Sequence, residues 1–170
     1  ALYFNSADSS IIDYTGGFRD LRKKVLRSIG EPEERFTDDP VRIIRAARFC
    51  AQLGFSLSAK DFKSAKKCAF HIKEANAHRL LDELYKILRC GASAITFQYM
   101  RRFGLLKWWM PELSFEDKSN PFIRRLEAID RRRRDGEDLP PCVLLAAMMF
   151  DLIQSQMPRL GEPVTFQEAL

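Results

Sequence analysis

The stretch "ERFTDDPVRIIRAARF", residues 34–49, decides the predicted fold. Its apolar residues recur at the three- and four-residue spacing of a helix with one buried side. Pro40 suits the first helical position, Asp39 suits the N-cap before it, and Gly54 suits the end. The pattern therefore predicts a helix that begins at Pro40. Similar patterns separated by glycines follow to about residue 113, which predicts a helical bundle.

Asp39 and Arg42 are about one turn apart, so both side chains can face the space beyond the start of this helix. A carboxylate accepts hydrogen bonds and a guanidinium donates them, so the pair could match the edge of a nucleobase. Arg45 and Arg48 continue the series and could line a cleft for a triphosphate or an RNA backbone. The residues alone leave an alternative, in which Asp39 only caps the helix and the arginines form a solvated face.

Short apolar runs at the start of the chain predict strands. The runs "ALYFNS" and "SIIDYT" around a polar segment are typical of a hairpin. Gly16 and Gly17 then supply the backbone angles of a sharp turn before Asp20. Their spacing is not the G-x-G-x-x-G of a dinucleotide site. We therefore predict a mainly α chain with a short N-terminal β segment.

The composition favours a polyanionic partner such as RNA or a nucleotide. The chain has 170 residues, of which 46% are hydrophobic, and its 28 Lys+Arg and 23 Asp+Glu give a formal net charge of +5. A mildly basic protein without such a partner is equally compatible with this charge. No segment has the pattern of a membrane span or a signal peptide, so we expect no membrane partner.

The four cysteines are far apart, whereas structural zinc sites need close ligand pairs. We expect no metal site from them and interpret them as buried thiols in a reducing compartment. They are Cys50, Cys68, Cys90 and Cys142.

Two further basic segments are weaker candidates for RNA binding. The first interleaves bases with aromatic residues that could stack on single-stranded RNA, although core tryptophans at a helix end are commoner. The second is a run of four arginines that could contact phosphates, although such runs are usually solvated. The basic residues concerned are Arg101, Arg102, Lys107, Arg131, Arg132, Arg133 and Arg134.

Three segments resemble successive motifs of the class II nucleotidyltransferases, the bacterial poly(A) polymerases and CCA-adding tRNA nucleotidyltransferases. "DYTGGFRDL" resembles the G-G-x-x-D-L turn of that family. "DPVRIIRAARF" resembles its E-D-P-x-R-x-x-R-x-x-R-F helix, and "AHRLLDELYKIL" resembles its E-R-x-x-x-E-x-x-K-x-L helix. Two positions depart from the motifs: Asp38 stands where the family usually has Glu, and His78 where CCA-adding members usually have Glu.

The resemblance implies a role for each motif. Asp39 and Arg42 would form a protein template that hydrogen-bonds the base of the incoming ATP or CTP. The other two arginines of the motif, Arg45 and Arg48, would support the cleft or the phosphates. Supporting roles would fall to Asp38, Gly16, Gly17 and Asp20, and Arg79 and Glu83 would brace the template from the neighbouring helix.

The resemblance also implies a domain organisation. Residues 1–30 would be the C-terminal remnant of a catalytic head, 31–113 a neck that binds nucleotide and RNA, and 114–170 the start of a helical body. "ALYFN" resembles the end of a catalytic-domain run of the type R-R-D-F-T-x-N-A-L, so the family's metal-binding carboxylates would precede this chain. That head would bind two Mg²⁺ ions, and we expect the 170 residues alone to be inactive.

The predicted function of the intact, cytoplasmic protein is addition of AMP from ATP to RNA 3′ ends without a nucleic-acid template. Addition of CCA or of the terminal A to tRNA is the alternative within the family. A non-catalytic helical module that binds RNA is the alternative of another class, and its affinity would depend on salt but not on nucleotide identity. The sequence does not indicate an oligomeric state.

Overall fold

The computed structural model describes residues 2–113 and 120–156. The chain is mainly α, as predicted, with a β hairpin before the helices. Strands β1 (Leu2–Asn5) and β2 (Ser10–Asp13) pair antiparallel, with Leu2 opposite Asp13. Helix α1 (Gly17–Arg22) follows the hairpin, and Gly16 before it has the left-handed backbone that glycine adopts without strain.

A two-stranded parallel sheet joins this N-terminal part to the bundle. Strand β3 (Val25–Leu26) lies within the apolar run "VLRSI", which favours a strand over residues 25–29, and pairs with β4 (Ser56–Leu57). The buried Asp61 strengthens the junction, since its carboxylate accepts hydrogen bonds from the Ser28 backbone N–H at 2.9 Å and from the Ser28 hydroxyl.

A helix that was not predicted precedes the arginine-rich segment. Helix α2 (Pro32–Asp38) has proline in its first turn together with two glutamates, residues that favour a helix start. Because α2 runs up to Asp38, Asp39 follows it as the C-cap. The prediction that Asp39 is the N-cap of a helix beginning at Pro40 is therefore wrong. Helix α3 (Val41–Leu53) begins one residue later, with Pro40 as N-cap and no side-chain cap.

Helix α3 is the centre of the bundle. Its apolar positions Ile43, Ile44, Ala47 and Cys50 are fully buried, and it packs most extensively against α6 (Ser93–Arg102). Gly54 ends α3 in the left-handed conformation, as predicted. This packing leaves the arginines of α3 at the edge of the buried stripe.

Local capping sets the positions of the next two helices. Ser58 precedes Asp61 by three residues, a spacing that predicts an N-cap, and it caps helix α4 (Ala59–Cys68): its hydroxyl accepts a hydrogen bond from the Asp61 backbone N–H at 3.2 Å. A 3₁₀ helix (Ala69–Glu74) continues it. Helix α5 (Ala77–Arg89) follows, and Asn76 is its N-cap. The side-chain oxygen of Asn76 accepts hydrogen bonds from two backbone N–H groups of the first turn.

The remaining helices complete the core. After α6 come α7 (Leu106–Trp109), a 3₁₀ turn (Pro111–Leu113), α8 (Pro121–Arg134) and α9 (Pro141–Gln156). Asp130 of α8 is buried and accepts hydrogen bonds from the backbone N–H groups of Ser93 and Ala94 at 2.7 and 3.0 Å. It therefore caps α6 from a different helix, since these N–H groups have no partner within α6.

The prediction of four buried thiols is correct for Cys50 and Cys68, and burial raises the pKa of the Cys50 thiol to about 11. Cys90 is half-buried. The prediction is wrong for Cys142, which lies exposed in the first turn of α9.

In the described ranges, no helix is long and apolar enough to cross a membrane. Of the polar segment "SFEDKSN", residues 114–120, which predicts a linker, only Asn120 is described, and the tail segment "GEPVTFQEAL", which could begin a further helix, lies outside the described residues.

Candidate functional site

Asp39 lies at the junction of α2 and α3, where two arginines reach its carboxylate. Its Oδ2 accepts a hydrogen bond from Arg79 Nη2 at 2.7 Å and lies 3.4 Å from Arg42 Nε. Arg42 also donates to the backbone carbonyl of Arg35 at 3.2 Å. The hydrogen bond and charge of Asp39 raise the pKa of the Arg79 guanidinium. The structure thus brings Asp39 and Arg42 together, as their spacing predicted.

One oxygen of this carboxylate has spare hydrogen-bonding capacity. Asp39 Oδ1 is buried, and within the described part of the chain it has no hydrogen-bond partner. An unsatisfied buried acceptor costs free energy, so a donor placed there would be bound favourably. The guanidiniums beside it remain accessible, because the side chains of Arg42 and Arg79 are 33% and 53% exposed.

The first turn of α5 positions Arg79. Asn76 Oδ1 accepts from the backbone N–H groups of His78 and Arg79, which fixes where the helix begins. Arg79 can therefore cross from α5 to the end of α2 and bind Asp39. His78, one of the two departures from the family motif, is exposed.

Glu83 is the centre of a second cluster, one turn further along α5. Its carboxylate is buried and accepts two hydrogen bonds from Arg48, from Nε at 3.3 Å and from Nη2 at 3.1 Å. Lys86 Nζ donates to its other oxygen at 3.0 Å, and Arg45 Nε lies 4.0 Å away. Arg48 is also held by Gln52, whose side-chain oxygen accepts from Nη1 at 3.0 Å. One buried carboxylate therefore binds three cations.

Two surface cavities meet at Arg45. A cavity of about 240 Å³ is lined by Arg35, Arg42 and Phe49 among others, and one of about 260 Å³ lies between α3 and α5. The second is lined by Val41 and six charged side chains, four cations and two carboxylates. These are Arg45, Arg48, Arg79, Lys86, Asp82 and Glu83. The excess of cations suits an anionic ligand.

Arg79 and Glu83, predicted to brace the Asp39–Arg42 template together, bind different partners rather than each other. Arg79 pairs with Asp39, and Glu83 pairs with Arg48. Asp38 is exposed, and its side chain forms no ion pair or hydrogen bond with the described residues. The structure therefore gives Asp38 no visible supporting contact.

Gly16, Gly17 and Asp20 lie on the N-terminal part. Asp20 accepts hydrogen bonds from Arg27 at 2.7 and 3.2 Å, and this contact holds the pKa of its carboxyl below the ordinary value. Gly17 and Asp20 line a separate cavity of about 360 Å³, together with Arg27. Sequence reasoning missed Arg27, since nothing in its spacing marks a partner for Asp20.

A family profile described as "Probable RNA and SrmB- binding site of polymerase A" matches residues 54–116. The chain is also 34% identical over 157 residues to poly(A) polymerase I of Haemophilus influenzae, a match that covers 88% of this chain. It belongs to the class II nucleotidyltransferase family. The predicted resemblance is therefore confirmed.

Other members of the nucleotidyltransferase family are similar to the same region. A CCA-adding enzyme of Bacillus subtilis is 38% identical over 93 residues, which cover 55% of this chain and 23% of that enzyme. The crystal structure of a tRNA nucleotidyltransferase complexed with a primer tRNA and an incoming ATP analog superposes with a TM-score of 0.68 at 28% identity, covering 85% of this chain and 43% of that one. The chain spans only about a third of the length of poly(A) polymerase I, 35%.

The weaker candidates for RNA binding lie outside the two groups of arginines that contact Asp39 and Glu83. Arg101 and Arg102 are exposed at the end of α6, where Arg102 lies over the Tyr99 ring at 5.5 Å. Lys107 lies over the ring of Trp108, which is only partly buried. In the α8 run, Arg131 is exposed, and the other three arginines are engaged within the protein. Arg132 and Arg133 pair with Glu137 and Asp138, and Arg134 donates to the Gly91 carbonyl.

Proposed function

We propose that this chain is the base-reading and RNA-binding part of an enzyme that adds AMP from ATP to RNA 3′ ends without a nucleic-acid template. The contact between Asp39 and Arg42 carries the proposal. In this reading residues 1–30 complete a catalytic head, 31–113 form the neck, and 114–170 begin the body. The chain's similarity to poly(A) polymerase I supports this choice, because it extends over most of the chain.

The pair selects bases by the order of donor and acceptor. Adenine and cytosine carry an amino donor beside a ring-nitrogen acceptor on the Watson–Crick edge, whereas guanine and uracil carry a carbonyl beside a ring N–H. Asp39 accepts and Arg42 donates, so the pair matches adenine and cytosine and opposes the other two. Each mismatched hydrogen bond to a charged group costs about 1.5–3 kcal/mol.

The spare oxygen of Asp39 supports this assignment. Arg79 and Arg42 share Oδ2, and Oδ1 is the buried atom without a partner in the described residues. An amino group of the incoming base would satisfy Oδ1 once the exposed Arg79 side chain moves aside. Arg79 then has a positioning role: it holds the carboxylate while the site is empty.

Arg45 and Arg48 would act on the phosphate side of the nucleotide. Glu83 holds Arg48 by two hydrogen bonds, which fixes the direction of its guanidinium. Arg45 is 4.0 Å from Glu83 and 47% exposed, so it is the freer of the two to contact a ligand. The cavity between α3 and α5 provides the space.

Mg²⁺ would be bound by carboxylates that precede this chain. Among the described residues no three His, Cys, Asp or Glu side chains come together as metal ligands, so these residues do not fit the ion. The contribution of this chain is to bind and orient the base, the phosphates and the RNA. We accordingly expect the 170 residues alone to add no nucleotide.

A second candidate function is addition of CCA, or of its terminal A, to tRNA. The similarity to a CCA-adding enzyme favours it, and so does the match to a structure solved with a primer tRNA. The donor–acceptor order of Asp39 and Arg42 suits CTP as well as ATP, so the site geometry fits both candidates.

Primer extension separates the candidates. The intact protein that carries this chain is given either an oligoadenylate primer or a tRNA without its CCA end, with ATP or CTP and Mg²⁺, and the products are resolved nucleotide by nucleotide. Long A ladders on the primer support poly(A) addition. Growth confined to tRNA and ending within CCA supports the second candidate. RNA binding without any extension would overturn both and favour a non-catalytic RNA-binding module.

A further inference from the structure

Lys73 and Lys107 lie against the same tryptophan. Lys73 Nζ is 4.6 Å from the centroid of the Trp108 ring, and Lys107 Nζ is 4.9 Å from it. The two lysines come from different elements, the 3₁₀ helix Ala69–Glu74 and α7, and both are exposed. A tryptophan ring attracts an ammonium group through its quadrupole, so Trp108 holds two positive charges close to its ring.

These two charges have no carboxylate partner among the described residues. Lys60 and Lys67, at a different place on the same domain, are the contrast: they pair with Glu31 and Glu33 at 2.7 and 2.5 Å. Two exposed cations that contact one ring and have no internal anion are available to an external one.

An exposed aromatic ring extends this surface. Phe70 and Lys73 are three residues apart in a 3₁₀ helix, so their side chains lie on one face. Phe70 is 45% exposed, which leaves ring surface on which a base can stack. The chain then passes from Lys73 through Asn76 into α5, whose first turn carries Arg79. A short connection therefore links this surface to the Asp39 cluster.

We propose that the lysine–tryptophan patch, formed by Lys73, Lys107 and Trp108, binds phosphates of single-stranded RNA, with Phe70 stacking on a neighbouring base. This inference rests on the proposed function for its ligand class and adds the surface that binds the RNA. The patch lies within the residues matched by the RNA-binding family profile. Trp108 positions the two ammonium groups, and the lysines make the contacts.

The test measures binding of a fluorescent single-stranded oligoadenylate by the intact protein at several salt concentrations. The double variant Lys73→Ala/Lys107→Ala is expected to bind about tenfold more weakly at low salt. The slope of log affinity against log salt should fall in magnitude by about 1.4, because each lost contact to a single-stranded phosphate contributes about 0.7. Thermal unfolding of each variant confirms that it remains folded.

Two further variants distinguish the effect of the patch on RNA affinity from the effect of net charge. Lys60→Ala/Lys67→Ala removes the same net charge from paired lysines, so its affinity should change less than about twofold and its slope hardly at all. Phe70→Ala should weaken binding about fivefold and leave the salt slope unchanged, since stacking releases no counterions.

An unchanged salt slope in the double-lysine variant, or an equal change in the paired-lysine control, would overturn the patch proposal. Nucleotide addition could still proceed in that case, and the proposed function would stand. RNA binding with the expected slopes but without nucleotide addition would support the patch and contradict the proposed function. A wild-type protein that does not bind the RNA would contradict both.

Discussion

In α3 arginines recur at every third residue, whereas at the end of α8 four are consecutive. Successive residues of a helix point about 100° apart, so the α8 arginines spread around the helix. Three of them bind what lies nearest: the exposed Glu137 and Asp138, and carbonyls of adjacent loops. The α3 arginines lie along one side, where carboxylates at the α2 end and on α5 reach them.

The accessibility of the carboxylate distinguishes the two regions more than the number of arginines does. The Glu83 side chain is 6% exposed, against 47% for Glu137 and 88% for Asp138. Exposed ion pairs contribute about 0–1 kcal/mol, but breaking a buried one costs about 3–5 kcal/mol. The α3 region thus contains an ion pair on a buried carboxylate, whereas the carboxylates that pair with the α8 arginines are exposed to solvent.

Removing the buried carboxylate should have the largest effect. Glu83→Gln leaves Arg48 and its neighbouring cations without their shared anion, and we expect a loss of about 3 kcal/mol in the free energy of unfolding. Urea denaturation measures it. The matched control is Glu137→Gln in α8, which should change stability by less than about 0.5 kcal/mol. Equal losses in the two variants would contradict the distinction between the regions.

Replacing Asp130 should lower the stability by a smaller amount, and it tests what α8 contributes to the fold. Asp130→Ala leaves two N–H groups at the start of α6 unsatisfied, which should cost about 1–2 kcal/mol. The adjacent change Arg131→Ala is the control, because Arg131 is exposed. Thermal denaturation of the two variants should differ clearly, and a loss in Arg131→Ala as large as that in Asp130→Ala would show that the arginine run itself supports the bundle.

Asp20 and Arg27 form a simpler case, with one carboxylate and one guanidinium. Arg27 holds the pKa of Asp20 below its ordinary value, so the pair adds stability above the unfolded-state pKa of about 3.9. That stability is lost as the pH falls through the folded-state pKa. Wild type should therefore lose more unfolding free energy than Arg27→Met between about pH 7 and about pH 3. Equal acid losses would contradict the pair's contribution.

Local sequence signals predicted much of the bundle. Glycines mark helix ends at Gly54, Gly91 and Gly104, where the backbone adopts positive φ, and the Ser58 cap follows from its spacing to Asp61. Helix α2 was not predicted, because Gly30 and Pro32 favour a break in the chain, although proline also suits a first turn. That omission made Asp39 appear to be an N-cap.

Local sequence signals did not predict which residues pair within the candidate site. Arg48 and Glu83 are 35 residues apart in sequence, and Arg79 and Asp39 are 40 apart. No helical period links residues on different elements, so only the family resemblance indicated that α5 would reach α3. Lys86 matched a motif but received no role, and the pairing of Lys73 and Lys107 across Trp108 depends on how the 3₁₀ helix packs on α7.

Nucleotide selectivity tests the central claim most directly. We would measure kcat/KM of the intact protein for ATP, CTP, GTP and UTP on an oligoadenylate primer, in wild type, in Arg42→Ala and in the control Arg132→Ala. We predict that Arg42→Ala reduces the preference for ATP over GTP by at least about tenfold, the value of one hydrogen bond to a charged group, while Arg132→Ala retains it. Unchanged selectivity in Arg42→Ala would contradict base reading by Asp39 and Arg42.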